Sequence, residues 1–128
     1  IRDLIQQRMN EMVPAIAAAH RAEAELIYLR GYPAMVNDPA MTQLATDTCV
    51  ELLGADHVHH GAPIMAGEDF AYVLERAPGC MVSLGVRNDE KGMIYPPHHP
   101  RFDADEDALA VGVRVLSAIA LRYLGADI

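Results

Sequence analysis

The residues of this chain best suited to chemistry are its histidines. His98 stands in a proline-rich stretch, Tyr95-Pro96-Pro97-His98-His99-Pro100, just ahead of a strongly acidic segment. Proline on both sides stiffens the backbone and helps to hold a ligand in one place, and neutral imidazole is the commonest protein ligand for Zn²⁺ and its neighbours. Spacing alone fits an exposed loop histidine with no task more readily. His57, His59 and His60 form a second group. On a strand, His57 and His59 would share a face and could bind a metal; solvated loop histidines account for the pattern more simply. Gly67-Glu68-Asp69-Phe70 puts two carboxylates at a helix start, where they could orient a ligand or a metal-bound group. Complementing the positive end of the helix explains them with fewer assumptions. The same holds for Asp103, Asp105, Glu106 and Asp107 before the last helix.

Other chemistries lack their residues. Cys49 and Cys80 read as small core residues rather than nucleophiles, and Tyr28, Tyr32 and Tyr95 fall near element ends, where tyrosines pack. There is no glycine-rich phosphate loop, no Cys-x-x-Cys and no nucleophile elbow. A catalytic zinc site takes about three protein ligands and an open position. This chain offers one well-placed His and no His-Glu-x-x-His, so it does not make a metal site alone.

These residues must be held by the elements around them. Residues 1–22 predict an amphipathic helix, with Ile1, Leu4, Ile5, Met9, Met12, Val13 and Ile16 on one stripe and a kink at Pro14. Period two over 24–30 predicts a half-buried strand that ends at Gly31-Tyr32-Pro33. Asp38 is a suitable N-cap and Pro39 a suitable first residue for a helix that buries Met41, Leu44, Ala45, Thr48, Leu52 and Leu53 and stops at Gly54. A short strand within 57–65, a short helix over 70–76 and a buried strand over 80–86 follow. Residues 87–103 form a long irregular connection, of the kind that is functional or disordered. The last helix runs from about Asp105 to Leu124, with Leu109, Val113, Leu116, Ile119, Ala120 and Tyr123 as its buried stripe. Strands alternating with helices predict an α/β layer structure with crossover helices.

Composition narrows the class. The chain has 128 residues, and its 52% hydrophobic content excludes disorder. No apolar run reaches the roughly 18 residues of a membrane span. A net charge of -8 argues against a nucleic-acid partner, and two isolated cysteines favour a reduced, cytoplasmic setting over a disulfide framework. The acidity is uneven: residues 1–30 carry four acids and four arginines, and the other residues carry 14 acids and six bases. A domain join between Gly31 and Asn37 is therefore expected. The chain opens at Ile1, already inside a helical pattern, and reads as a piece of something longer.

Taken in order, several motifs form a recognisable set. They are Gly31-Tyr32-Pro33 with Val36-Asn37-Asp38, Met65-Ala66-Gly67-Glu68-Asp69-Phe70-Ala71, Pro78-Gly79-Cys80 with Leu84-Gly85, and His98-His99-Pro100-Arg101-Phe102-Asp103 with Asp107-Ala108-Leu109. Over nearly its whole length the chain resembles the C-terminal third of the metal-dependent amidohydrolases of the aminoacylase/carboxypeptidase family. The branch it most resembles holds hippurate hydrolase, N-acyl-amino-acid hydrolases and plant auxin-conjugate hydrolases. The resemblance implies an α/β fold. Residues 1–33 would be the last helix and strand of an α+β lid or dimerisation domain. Residues 34–128 would be the C-terminal half of a three-layer catalytic domain, with helices on a mostly parallel sheet.

The resemblance also implies a reaction. A divalent-metal centre, two ions of zinc or manganese, would supply activated water to cleave the amide bond of an N-acyl amino acid or small peptide. The family's His-x-Pro-x-Phe ligand maps onto His98, with Pro100 and Phe102 in register, and Glu68 maps to the substrate side. No catalytic residue is expected in this chain. The family's general base and its other ligands belong to motifs absent from these residues, so the chain alone should be inactive. A homodimer or other self-association is implied as well, with no nucleic acid and no membrane. The rival expectation is a non-catalytic α/β module that binds no metal and self-associates through an apolar face.

Overall fold

The computed structural model describes residues 1–126, so the last two residues of the expected 34–128 unit lie outside the described residues. Among the described residues four α-helices carry the architecture: α1 (Arg2–Ala19), α2 (Pro39–Leu53), α3 (Phe70–Leu74) and α4 (Asp107–Tyr123), with a 3-10 turn at Ala55–His57. The chain divides into two units, Ile1–Gly31 and Tyr32–Ile128.

The expected α/β class is not what forms. Among the described residues there is no sheet, and the only β pairing is an isolated antiparallel bridge between Asn88 and Met93. Residues 24–30, 57–65 and 80–86 have strand-like composition, yet none becomes a strand. Alternation decides which face a strand would bury. A strand itself exists only where a neighbour supplies backbone donors and acceptors along its length. Here the local partners are side chains: Asn37 Oδ1 accepts from the Met81 amide at 3.0 Å, and Asn37 Nδ2 donates to the Met81 carbonyl at 3.4 Å. Met81, Val82 and Leu84 are exposed accordingly.

In the first unit, α1 runs on through Pro14 to Ala19 and buries none of its residues. Its expected stripe stays exposed apart from half-buried Val13. Arg30 closes the unit from the far end, donating to Gln6 Oε1 at 2.8 Å and to Asp3 Oδ1 at 2.5 Å. That guanidinium holds the Asp3 carboxyl below its ordinary value.

In the second unit, α2 begins as its sequence dictates. The Asp38 carboxylate accepts from the Met41 amide at 2.9 Å, Pro39 fills the first turn, and Gly54, at φ 88°, ends the helix. The core is small and lies where α2 meets α4: Ala45, Thr48 and Cys49 from one helix, Val115 and Ala118 from the other. Thr48 is wholly buried and fully used, donating to the Leu44 carbonyl at 2.7 Å and accepting from Arg122 at 3.2 Å, while Arg122 also pairs with Glu51. Leu84 rests where α4 has no side chain, since a Cβ on Gly112 would lie 3.1 Å from its Cδ2.

The stripe predicted for α4 is on the wrong side. Leu109, Val113, Leu116 and Tyr123 are each about two-thirds exposed (66%, 67%, 68% and 66%), and the buried face runs through Val115 and Ala118. α4 carries apolar residues on two sides, and periodicity could not say which of them its neighbour covers.

Candidate functional site

The 87–103 connection has more internal order than its sequence predicts. Asn88 and Met93 exchange backbone hydrogen bonds at 3.1 and 2.8 Å, and Gly92, at φ 75°, makes the reversal between them. Lys91 then reaches Asp105 at 2.5 Å and Asp107 at 2.6 Å, and Asn88 Nδ2 donates to Asp105 at 2.6 Å. The acidic turn thus does more than offset the helix dipole, because it ties the loop to the start of α4. Lys91, with Asn88, lowers Asp105 from 3.8 to about 2, and the two carboxylates raise Lys91 well above its usual range.

Beyond that hairpin lies the histidine pair, and the structure separates its members. The His99 ring stacks on Tyr95, with centroids 4.3 Å apart and planes 12° from parallel, and its Nδ1 accepts from the Arg101 amide at 3.0 Å. The Arg101 guanidinium sits 4.5 Å from the Tyr95 ring centroid. Backbone bonds from His99 to Pro96 and from Phe102 to His99 complete the turn. His98 has none of these ties: among the described residues its imidazole has no hydrogen bond, ion pair or ring contact, and it is exposed. Its backbone is left-handed, at φ 69°, a conformation that costs a non-glycine residue roughly 1–2 kcal/mol. Strain held in place by surrounding contacts is characteristic of functional positions. Sequence reasoning assigned Tyr95 to packing and missed the stack; its only signal was an aromatic, a histidine and an arginine at 95, 99 and 101 in a proline-rich loop.

The other candidates are placed differently. Glu68 Oε1 accepts from the Phe70 amide at 3.2 Å, a local bond at the start of α3. His57, His59 and His60 border an open cleft of about 1190 Å³ together with Cys49 and Cys80, and neither Glu68 nor His98 lines it. Both cysteines are free thiols, and burial pushes each above its ordinary value. Among the described residues no three of His, Cys, Asp and Glu come together in a way that could hold a metal ion. One imidazole is not a metal site, so the donor set of this chain does not fit a metal by itself. Nor is any described helix long and apolar enough to cross a membrane.

Comparison with known proteins gives these features a context. Residues 5–122 match the profile of peptidase family M20/M25/M40. YhaA of Bacillus subtilis, named as an amidohydrolase, is 36% identical over 123 residues, which are 96% of this chain and 31% of its own length. Thermostable carboxypeptidase 2 of Saccharolobus solfataricus is 32% identical over 125 residues, 96% of this chain and 31% of that protein. IAA-amino acid hydrolase ILR1-like 6 of Arabidopsis thaliana is 38% identical over 93 residues, 73% of this chain and 20% of that protein. The chain thus spans less than a third of the length of these relatives.

Proposed function

The chain belongs to peptidase family M20/M25/M40, and from that premise we propose that it is the C-terminal part of a metal-dependent hydrolase that cleaves the amide bond of N-acyl amino acids or small peptides. Relatives bear the names amidohydrolase, carboxypeptidase and IAA-amino acid hydrolase, and hydrolysis of an amide bond is the common ground of the proposal. In this reading residues 1–33 belong to a lid or dimerisation domain and residues 34–128 to the catalytic domain. His98 supplies one metal-binding imidazole, and Glu68 faces substrate only with the oxygen not engaged at Phe70. The general base and remaining ligands come from polypeptide outside these residues.

The observation that carries the proposal is the division of labour within the histidine pair. His99 is committed to the loop, and His98 is exposed, unpartnered among the described residues and held left-handed. A metal needs one ring nitrogen whose lone pair is available, and no hydrogen bond among the described residues occupies the His98 ring. The test is a panel of N-acyl amino acids and dipeptides offered to the full-length protein before and after chelation. The proposal expects hydrolysis that chelation abolishes and Zn²⁺ or Mn²⁺ restores, and it expects none from the 128-residue chain with either metal. Hydrolysis indifferent to chelation would overturn it.

A second reading has one observation in its favour. The exposed apolar stripe of α4 suits a module that self-associates without metal. It would be preferred if the full-length protein took up no divalent ion.

A further inference from the structure

We infer that His99 and Tyr95 are positioning residues: their stacked rings hold the loop closed around His98 and set the left-handed backbone that presents the His98 imidazole. This rests on the reading of His98 as the functional histidine, and it assigns work to side chains that touch neither substrate nor metal.

The argument starts from the cost of the conformation. A residue with a Cβ enters the left-handed region only when its surroundings impose it. His98 is exposed and its side chain has no hydrogen bond, ion pair or ring contact among the described residues, so no such tie of its own imposes the conformation. The His99 amide donates to the Pro96 carbonyl and closes a turn with Pro97 second and His98 third, an arrangement that puts its third residue at positive φ. The left-handed backbone therefore lasts only while His99 is held in place to close that turn. The His99 ring is held twice, by the face of Tyr95 at 4.3 Å and by the Arg101 amide on Nδ1 at 3.0 Å, and its backbone amide donates to Pro96 at 3.2 Å. Tyr95 is half-buried and Arg101 lies 4.5 Å from its ring, so the stack has a base of its own. The chain therefore leaves Tyr95, passes through His98 and returns to Tyr95 through His99. With both ends of that short excursion fixed, the residue between them has little freedom left.

The experiment reads the backbone of His98 directly. In the ¹⁵N,¹³C-labelled full chain, a left-handed residue shows a several-fold stronger intraresidue amide–Hα cross-peak than an extended or helical one. The native chain should show it at His98. His99→Leu and Tyr95→Leu should each lose it with the α2 and α4 amide signals unmoved, and Tyr95→Phe, which keeps the ring face, should retain it. Persistence of the strong cross-peak in both leucine variants would overturn the inference, and so would its loss in Tyr95→Phe. A native His98 without the signature would overturn it as well. None of these outcomes depends on bound metal. If His98 proved dispensable for hydrolysis, the functional reading would fail while the backbone result stood.

Discussion

At the scale of single residues, two groups near the 87–103 connection have measurable consequences. If the proposed role of His98 holds, His98→Ala in the full-length protein lowers turnover by at least about 100-fold, since even the residues that merely support a metal ligand are worth 10–100-fold when removed. Steady-state hydrolysis of an N-acyl amino acid checks this. The second group is Asp105, whose folded carboxyl lies at about 2 against an ordinary 3.8 because Lys91 and Asn88 bond its charged form. A lowered carboxylate stabilises the fold above its unfolded value and ceases to do so as pH falls through its folded value. The start of α4 should therefore hold constant protection against amide exchange near neutrality and lose it between about pH 4 and pH 2. Lys91→Met should weaken that protection near neutrality and shrink the loss on acidification, because a carboxyl returned toward its ordinary value contributes little pH-dependent stability. An identical profile in the variant would show that Lys91 does not anchor Asp105. The sequence points to His98 as a candidate because Pro100 and Phe102 match the register of the family motif it resembles. The Tyr95 stack could not, because nothing in a one-dimensional pattern says that a loop returns on itself.

Elements were legible wherever a cause was local. The start of α2 is written in Asp38-Pro39 and its end in Gly54, and both hold in the structure. Removing the cap by Asp38→Ala should cost about 1 kcal/mol, read as a lower denaturation midpoint with unchanged slope. Thr48→Val should cost a similar amount, about 1 kcal/mol, because the buried hydroxyl bonds both the Leu44 carbonyl and Arg122. A variant as stable as the native chain would mean that Arg122 is satisfied by Glu51 alone. The strands failed for a non-local reason. Period-two patterning at 24–30 and the apolar run at 80–86 describe which residues a strand would bury, and the hydrogen-bonding partner that makes a strand must come from elsewhere. The buried face of α4 failed similarly: apolar on both sides, it takes its orientation from α2, which only the fold reveals.

For the whole molecule, the balance between buried and exposed apolar surface dominates. Among the described residues five apolar ones are buried, while Leu109, Val113, Leu116 and Tyr123 on α4 are each about two-thirds exposed. Such a face on an isolated chain should drive association. Light scattering is expected to find the 128-residue chain as a dimer or larger, with Leu116→Glu shifting it toward monomer; a compact native monomer would contradict this. The central claim is that this chain lends one metal-binding imidazole to a hydrolase assembled from more polypeptide than itself. The most direct test is the divalent-metal content of the full-length protein and its His98→Ala variant, measured by elemental analysis alongside hydrolysis of an N-acyl amino acid. The native protein should retain bound metal and activity, and the variant should lose both together. A variant that kept its full metal content and its hydrolysis would contradict the claim.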